Sequence, residues 1–237
     1  MNDRKKVALV TGGSSGMGLT IARKLRSMGM DVIVFDVQSP PDALPYYRVD
    51  IRDDAQIREA LSRIPRIDIL VNNAGIYFEK YLEDTTNDEI DRMVDVNIKG
   101  TYLMTRNAFP KIRESRGSIV IIASCLGLVP ELTSPLYCAT KAGLVMLTKC
   151  LAQQYADCGI RVNCVLPGPI DTPLLQKSFP DAETEQRCAE RIPLKRIGRP
   201  EEIANMVAFL VSDDAAYITG GAFPVDGGVS SSSMYSK

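Results

Sequence analysis

Five short β-branched runs, at residues 7–10, 32–35, 67–71, 119–122 and 161–166, alternate with segments whose apolar residues recur at helical spacing. Each run is apolar at nearly every position, so a strand made from it has to be covered on both faces. Helices that cross over between parallel strands give that cover. The alternation therefore predicts an α/β chain with a doubly wound parallel sheet and excludes all-helical and all-strand architectures. No internal repeat, Gly/Ser linker or composition break marks a second domain in the 237 residues, so one domain over 1–237 is expected, ending in a polar tail at 230–237.

Composition narrows the chemistry before any motif is read. Lys and Arg number 28 against 29 Asp and Glu, which gives no electrostatic reason to expect nucleic acid or a membrane surface as partner. The count of 0 His excludes Ser-His-Asp and Cys-His nucleophile systems, HExxH metal sites and histidine proton shuttles. Acid/base work has to fall to Tyr, Lys, Cys or carboxylates. The six cysteines, Cys125, Cys138, Cys150, Cys158, Cys164 and Cys188, contain no CxxC pair, so no metal is expected and they read as reduced thiols of a cytoplasmic protein. Arg4, Lys5 and Lys6 precede only four apolar residues, 7–10, too short for a signal-peptide core, and no run approaches a membrane span.

The first run ends in Thr11-Gly12-Gly13-Ser14-Ser15-Gly16-Met17-Gly18, and residues 19–28 continue as a helix. A glycine turn that opens a helix after a strand suits a diphosphate: glycines let backbone N–H groups approach it, and the helix N-terminus carries partial positive charge. The second run closes at Asp36, eighteen residues past Gly18, where an acid can accept hydrogen bonds from ribose hydroxyls.

Two helices announce their starts. Thr86 and Glu89 form a capping box, after which Ile90, Met93, Val94, Ile98 and Tyr102 recur on one stripe, predicted to face inward, and Asn97 shares it. Ser134 before Pro135 reads as an N-cap and a first-turn proline. Tyr137 then lies in the first turn with Lys141 four residues on, along the same face. The helix's positive end and the lysine cation are both expected to lower the phenol pKa toward that of a usable base. Ser124 follows the fourth run, at the carboxyl edge where open α/β sheets bind ligands.

These residues together resemble the short-chain dehydrogenase/reductases. TGGSSGMG matches that family's TGxxxGxG, Asn72-Asn73-Ala74-Gly75 its NNAG, and Tyr137-Cys138-Ala139-Thr140-Lys141 its YxxxK, with Ser124 thirteen residues before the tyrosine. Asn97 matches the catalytic asparagine, Pro167-Gly168-Pro169-Ile170-Asp171-Thr172 the nicotinamide-side loop, Gly198-Arg199-Pro200-Glu201-Glu202 a helix start, and Asp226-Gly227-Gly228 the end of the last strand. The resemblance covers nearly the whole chain and implies a Rossmann-like domain. It implies Ser124, Tyr137, Lys141 and Asn97 as catalytic residues, with a water joining Asn97 to Lys141. It implies Gly12, Ser14, Ser15, Gly16, Met17, Gly18, Asp36, Asp50, Ile51, Asn73, Ala74, Gly75, Tyr137, Lys141, Pro167, Gly168, Ile170 and Thr172 as cofactor contacts. A homotetramer, assembled through the helices that begin near Asn87 and Pro135, is also implied.

One departure stands out. Only thirteen residues, including Pro40, Pro41 and Pro45, separate Asp36 from Asp50, where the family usually fits a helix; a loop or single turn is expected, with a more open adenine side. Residues 174–191, which the resemblance makes a lid, mix Lys177, Arg187 and Arg191 with Asp181, Glu183, Glu185 and Glu190, and no cationic cluster announces a phosphate or acyl-carrier substrate. Glu131 reads as a solvated loop carboxylate, with binding of polyol or sugar hydroxyls as the alternative. With no Lys or Arg beside Asp36 to meet a 2′-phosphate, the expected function is NAD-dependent hydride transfer between a secondary alcohol and its ketone, the substrate a sugar, polyol or cyclic alcohol. The rivals are an NADPH-dependent 3-oxoacyl-carrier reductase and a non-catalytic dinucleotide-sensing interaction protein, which has no use for the Ser124, Tyr137 and Lys141 trio.

Overall fold

The computed structural model describes residues 4–179 and 181–231. Residues 232–237, most of the polar tail, lie outside the described residues. The chain runs β1 (Val7–Thr11), α1 (Gly16–Ser27), β2 (Asp31–Asp36), β3 (Tyr46–Arg48), α2 (Asp54–Ser62), β4 (Ile69–Asn72), α3 (Asn87–Val94), α4 (Thr101–Ser115), β5 (Ser118–Ile122), α5 (Pro135–Tyr155), β6 (Arg161–Pro167), α6 (Pro173–Gln176), α7 (Ala182–Arg191), α8 (Pro200–Val211) and β7 (Ala222–Val225). The strands form one parallel sheet in the order β3-β2-β1-β4-β5-β6-β7. All five runs lie in central strands, and two short strands the runs did not include, β3 and β7, make the edges. Pro224 sits in edge strand β7, where a missing N–H is tolerated.

Residue alternation along the strands feeds two cores. On one face Ala8, Val10, Val34, Val120 and Ile122 meet Ile21, Leu25, Ile203, Val207 and Leu210 of α1 and α8. On the other, Leu9, Phe35, Leu70, Ile119 and Ile121 meet Ile57, Leu61, Met104, Ile112, Leu144 and Leu151 of α2, α4 and α5. Strand order reverses at β1: β2 is on one side and β4 on the other, which opens a crevice at the carboxyl ends of β1 and β4.

The link from β2 to β3 has no helix, as its length required. It is pinned instead, by Arg23 on Asp42, by Arg26 Nη1 on the Ala43 carbonyl (3.2 Å), and by buried Leu44.

The inward stripe beyond the Thr86–Glu89 capping box needs correction. The box forms as expected, but Ile90, Val94 and Tyr102 are exposed, whereas Met93, Asn97, Thr101, Met104 and Thr105 are buried. A π-helical turn at Asp95–Gly100, continuous with α3 and α4, shifts the phase of everything after it, so an uninterrupted 3.6-residue period misassigns Tyr102. Ile90 and Val94 precede that turn, in α3, which buries Met93 alone. Gly100 closes this turn because a Cβ there would lie 2.6 Å from Ile51 Cδ1.

Candidate active site

The glycine turn is built around close approaches. Gly12 has φ +64°, and a Cβ on it would meet Ala74 Cα at 2.8 Å. Asn73 Nδ2 donates to the carbonyls of Thr11 (3.1 Å) and Gly12 (3.0 Å), while Thr11 Oγ1 accepts from the N–H groups of Asn73 and Ala74, both at 3.1 Å. Turn and β4 end are thereby one rigid unit. Ser15 occupies the N-cap position of α1 without a side-chain cap bond, and the first turn of α1 holds no acid, whereas α2, α3, α7 and α8 all carry acids there. The N-terminal N–H groups of α1 are thus left uncapped by side chains at the crevice, which fits a diphosphate. Met17 is half-buried against the α1 side of the core, and Gly18 has the Gly12 carbonyl where a Cβ would go. Thr172 Cβ lies near Gly16, and Gly168 packs on Asp226, so the loop after β6 closes over the same turn. Pro167 ends β6, Ile170 is buried, and Thr172 caps α6 through Leu175 N–H at 3.3 Å.

Asp36 ends β2 with its carboxylate accepting from Ser14 N–H and Gln38 N–H, both at 3.0 Å, and Ser14 Oγ donates to the Gln38 carbonyl at 2.6 Å. These bonds aim the carboxylate beside the glycine turn and leave it lone pairs for hydroxyls. Asp50 is engaged by Arg52, whose guanidinium bonds its carboxylate (2.6 Å at the shortest) and holds it below the usual carboxylate range. Ile51 is buried, its tip on Gly100.

Ser124, Tyr137 and Lys141 converge at the carboxyl edge of β5. Ser124 is buried, and its hydroxyl accepts Leu126 N–H at 3.2 Å. Lys141 is buried, donates to the Ile122 carbonyl at 3.0 Å, and its Nζ stands 5.4 Å from the Tyr137 ring centroid. Burial pushes the Lys141 ammonium down to about 8. Tyr137 goes the other way: burial raises its phenol and outweighs the opposing help from Ser124. The net lowering expected for Tyr137 is therefore absent from the chain alone, because loss of water around the buried phenol outweighs it.

Asn97 is fully buried at the π turn, its side chain clasping Ile76: Oδ1 accepts the N–H (2.8 Å), Nδ2 donates to the carbonyl (3.0 Å), and Nδ2 also reaches Thr140 Oγ1 (3.3 Å). The protein itself thus supplies the partners this amide needs. Gly75 sits beside both Asn97 and Lys141, since a Cβ there would be 3.3 Å from Asn97 Oδ1 and 3.5 Å from Lys141 Nζ.

A family model described as Enoyl-(Acyl carrier protein) reductase matches residues 12–230. Among curated proteins, the chain is 35% identical over 241 residues to the 3-oxoacyl-[acyl-carrier-protein] reductase FabG of Thermotoga maritima, covering 94% of this chain and 97% of that protein. It is equally 35% identical to the 2,5-dichloro-2,5-cyclohexadiene-1,4-diol dehydrogenase LinX of Sphingobium indicum, covering 94% and 95%. Among solved structures, ligand-free Thermoplasma acidophilum aldohexose dehydrogenase superposes with a TM-score of 0.94 at 34% identity, over 99% of this chain and 97% of that one. The chain belongs to the short-chain dehydrogenase/reductase family. It is an oxidoreductase acting on CH–OH groups, and the family binds a nicotinamide dinucleotide.

Within this short-chain dehydrogenase, two side chains near Tyr137, those of Tyr77 and Glu79, had no sequence signal. The Tyr77 ring meets the Tyr137 ring edge-on, with centroids 4.9 Å apart at 75°. The Tyr77 hydroxyl donates to Glu79 Oε1 (2.7 Å) and accepts from Ser134 Oγ (3.3 Å). Ser134 is the N-cap residue and Pro135 opens the first turn, as expected; only the side-chain cap bond is missing, and the hydroxyl donates instead to Tyr77, 57 residues away, a separation no local pattern encodes.

Proposed function

We propose that this short-chain dehydrogenase interconverts a secondary alcohol and its ketone using NAD(H), with a sugar, polyol or cyclic alcohol as substrate. The observation that carries the reading is the convergence of Ser124, Tyr137 and Lys141 beside the uncapped N-terminus of α1. Ser124 orients the substrate oxygen. Tyr137 takes the hydroxyl proton as the carbinol hydrogen leaves with its electron pair, and returns it in the reverse direction. A bound nicotinamide ring supplies the hydride acceptor and, when oxidised, a positive charge. Lys141 and Asn97 hold the proton path behind the tyrosine, Lys141 near its titration point. Gly12, Ser14, Ser15, Gly16, Met17 and Gly18 bind the diphosphate and Asp36 the ribose; Asp50, Ile51, Asn73, Ala74 and Gly75 form the floor, and Pro167, Gly168, Ile170 and Thr172 the nicotinamide side.

NAD rather than NADP is supported by Asp36, a carboxylate beside the glycine turn with no cation among Ser14, Ser15, Val37 and Gln38 to meet a 2′-phosphate. Helices α6 and α7 contain no buried residue, which supports a lid over the substrate. Six unbridged cysteines support a reducing, cytoplasmic location. A homotetramer would cover the exposed Tyr102 and Met146. Likeness to FabG favours a second reading, reduction of a 3-oxoacyl thioester, which the mixed charges of α7 do not recommend.

A screen of secondary alcohols, sugars, polyols, hydroxy acids and an acetoacetyl thioester, followed at the reduced-nicotinamide absorbance, separates the two readings. Tyr137→Phe is expected to cut turnover by about 10²- to 10⁴-fold while dinucleotide binding persists. More than about a tenth of wild-type turnover in that variant, with an unchanged pH profile, removes Tyr137 as the acid/base group.

A further inference from the structure

Ser134, Tyr77 and Glu79 form a hydrogen-bonded chain that ends at the catalytic ring. One of its members departs from what the local sequence would do by itself. Ser134 stands at the head of a 21-residue helix and gives up its capping bond. A residue that breaks its local rule marks a functional constraint more often than an accident. Tyr77 is half-buried and its phenol is raised by burial first, then by Glu79 and Glu131, so its proton stays in place to be donated. Both hydrogen bonds fix the Tyr77 ring edge-on against Tyr137.

Glu79 closes the chain on the exposed side. Its Oε1 takes the Tyr77 hydroxyl, and among the described residues its Oε2 accepts no hydrogen bond. The nearby cation, Lys80, is committed to Glu89 at 2.7 Å. The charge of Glu79 reaches Cys188 of α7, whose thiol is raised mainly by its own burial. A charged acceptor with a spare oxygen therefore stands between the catalytic tyrosine and the helix read above as a lid.

We propose that Tyr77 and Glu79, braced by Ser134, are specificity-determining residues, and that Glu79 selects a neutral substrate bearing a second hydroxyl near the reacting carbinol. This rests on the alcohol-oxidising reading above and adds its substrate class. A substrate hydroxyl donates to the free carboxylate oxygen, whereas an anionic substrate meets two carboxylates, Glu79 and Glu131, that already act on Tyr77. Tyr77 acts as a positioning residue, through the ring of Tyr137.

The test compares cyclohexanol, trans-1,2-cyclohexanediol, trans-2-aminocyclohexanol and 3-hydroxybutyrate in the wild type and in Glu79→Gln, Tyr77→Phe and Ser134→Ala, with dinucleotide affinity as the check on folding. Wild type is expected to favour the diol over cyclohexanol in kcat/KM by at least about tenfold, the value of one good hydrogen bond to a charged group. Glu79→Gln is expected to erase most of that ratio through KM and to narrow the gap to 3-hydroxybutyrate. Tyr77→Phe and Ser134→Ala are expected to lower kcat and shift its pH profile. A diol-to-cyclohexanol ratio that stays within threefold in Glu79→Gln overturns the proposal while leaving alcohol oxidation standing. A wild-type preference for the amino alcohol overturns the hydroxyl assignment. If wild type oxidises none of these alcohols yet reduces a 3-oxoacyl thioester, the alcohol reading falls and this inference with it.

Discussion

Lys141 carries an ammonium that the fold has removed from water, and that cost is written in its titration. Its pKa is pushed from 10.5 down to about 8 by burial. Below pH 8 both folded and unfolded chains hold the proton, so the full penalty is present; between about 8 and 10.5 the folded chain releases it first, and stability rises with pH. At about 1.4 kcal/mol per unit the penalty is of order 3 kcal/mol at pH 7, reduced by the bond to Ile122. Lys141→Met should therefore gain about 1–3 kcal/mol in urea unfolding at pH 7 while losing activity, an exchange of stability for function. The wild-type-minus-mutant difference should shrink as pH rises through that window; a constant difference excludes the buried ammonium as its source. Asp36 makes an independent statement. A carboxylate about 4 Å from a 2′-phosphate repels it by a few kcal/mol at an effective dielectric near 20, less where water enters. Even half of this is roughly tenfold in kcat/KM for NAD over NADP. Asp36→Ala should collapse that ratio, and equal use of both cofactors by wild type would refute the assignment.

Among the elements, the helix interrupted at Asp95–Gly100 decides where Asn97 points. A continuous α-helix would carry Met93 and the residues after Asn97 on a different phase, and the clasp on Ile76 would open. Gly100 allows the turn by leaving space for Ile51. Gly100→Ala should cost about 1–3 kcal/mol, the range for overpacking a filled site. Adding Ile51→Ala should return part of that loss, since the two side chains compete for one volume. Losses that simply add in the double variant, by thermal unfolding, would show that the close approach is not the cause. The β2–β3 link shows the opposite case: its want of a helix was legible, because the thirteen residues between Asp36 and Asp50, three of them prolines, leave no room for one, whereas the Arg23–Asp42 strap that replaces it was not.

At the scale of the whole molecule, the exposed faces beside the long helices set the expected assembly. Tyr102 on α4 and Met146 on α5 lie in water in the single chain, and a neighbour that covers them by a two-fold axis would bury the same patch on both copies. Light scattering is expected to give about four times the 26.0 kDa protomer mass, and Met146→Glu to lower it. A mass near one protomer at micromolar concentration contradicts the tetramer.

The sequence by itself determined the class of the fold, the glycine turn, Asp36 and the Ser124–Tyr137–Lys141 set, because each is a local pattern: strand period, helix start, or spacing along one helix face. Tertiary structure alone decided which way the pKa values move and what stands around Tyr137. Desolvation depends on every element packed about a group, so Tyr137 rises and Lys141 falls where the sequence gave only the helix dipole and the lysine charge. Ser134, Tyr77 and Glu79 meet only because the loops after β4 and β5 end at the same sheet edge, and parallel pairing of β4 with β5 is what brings those ends together.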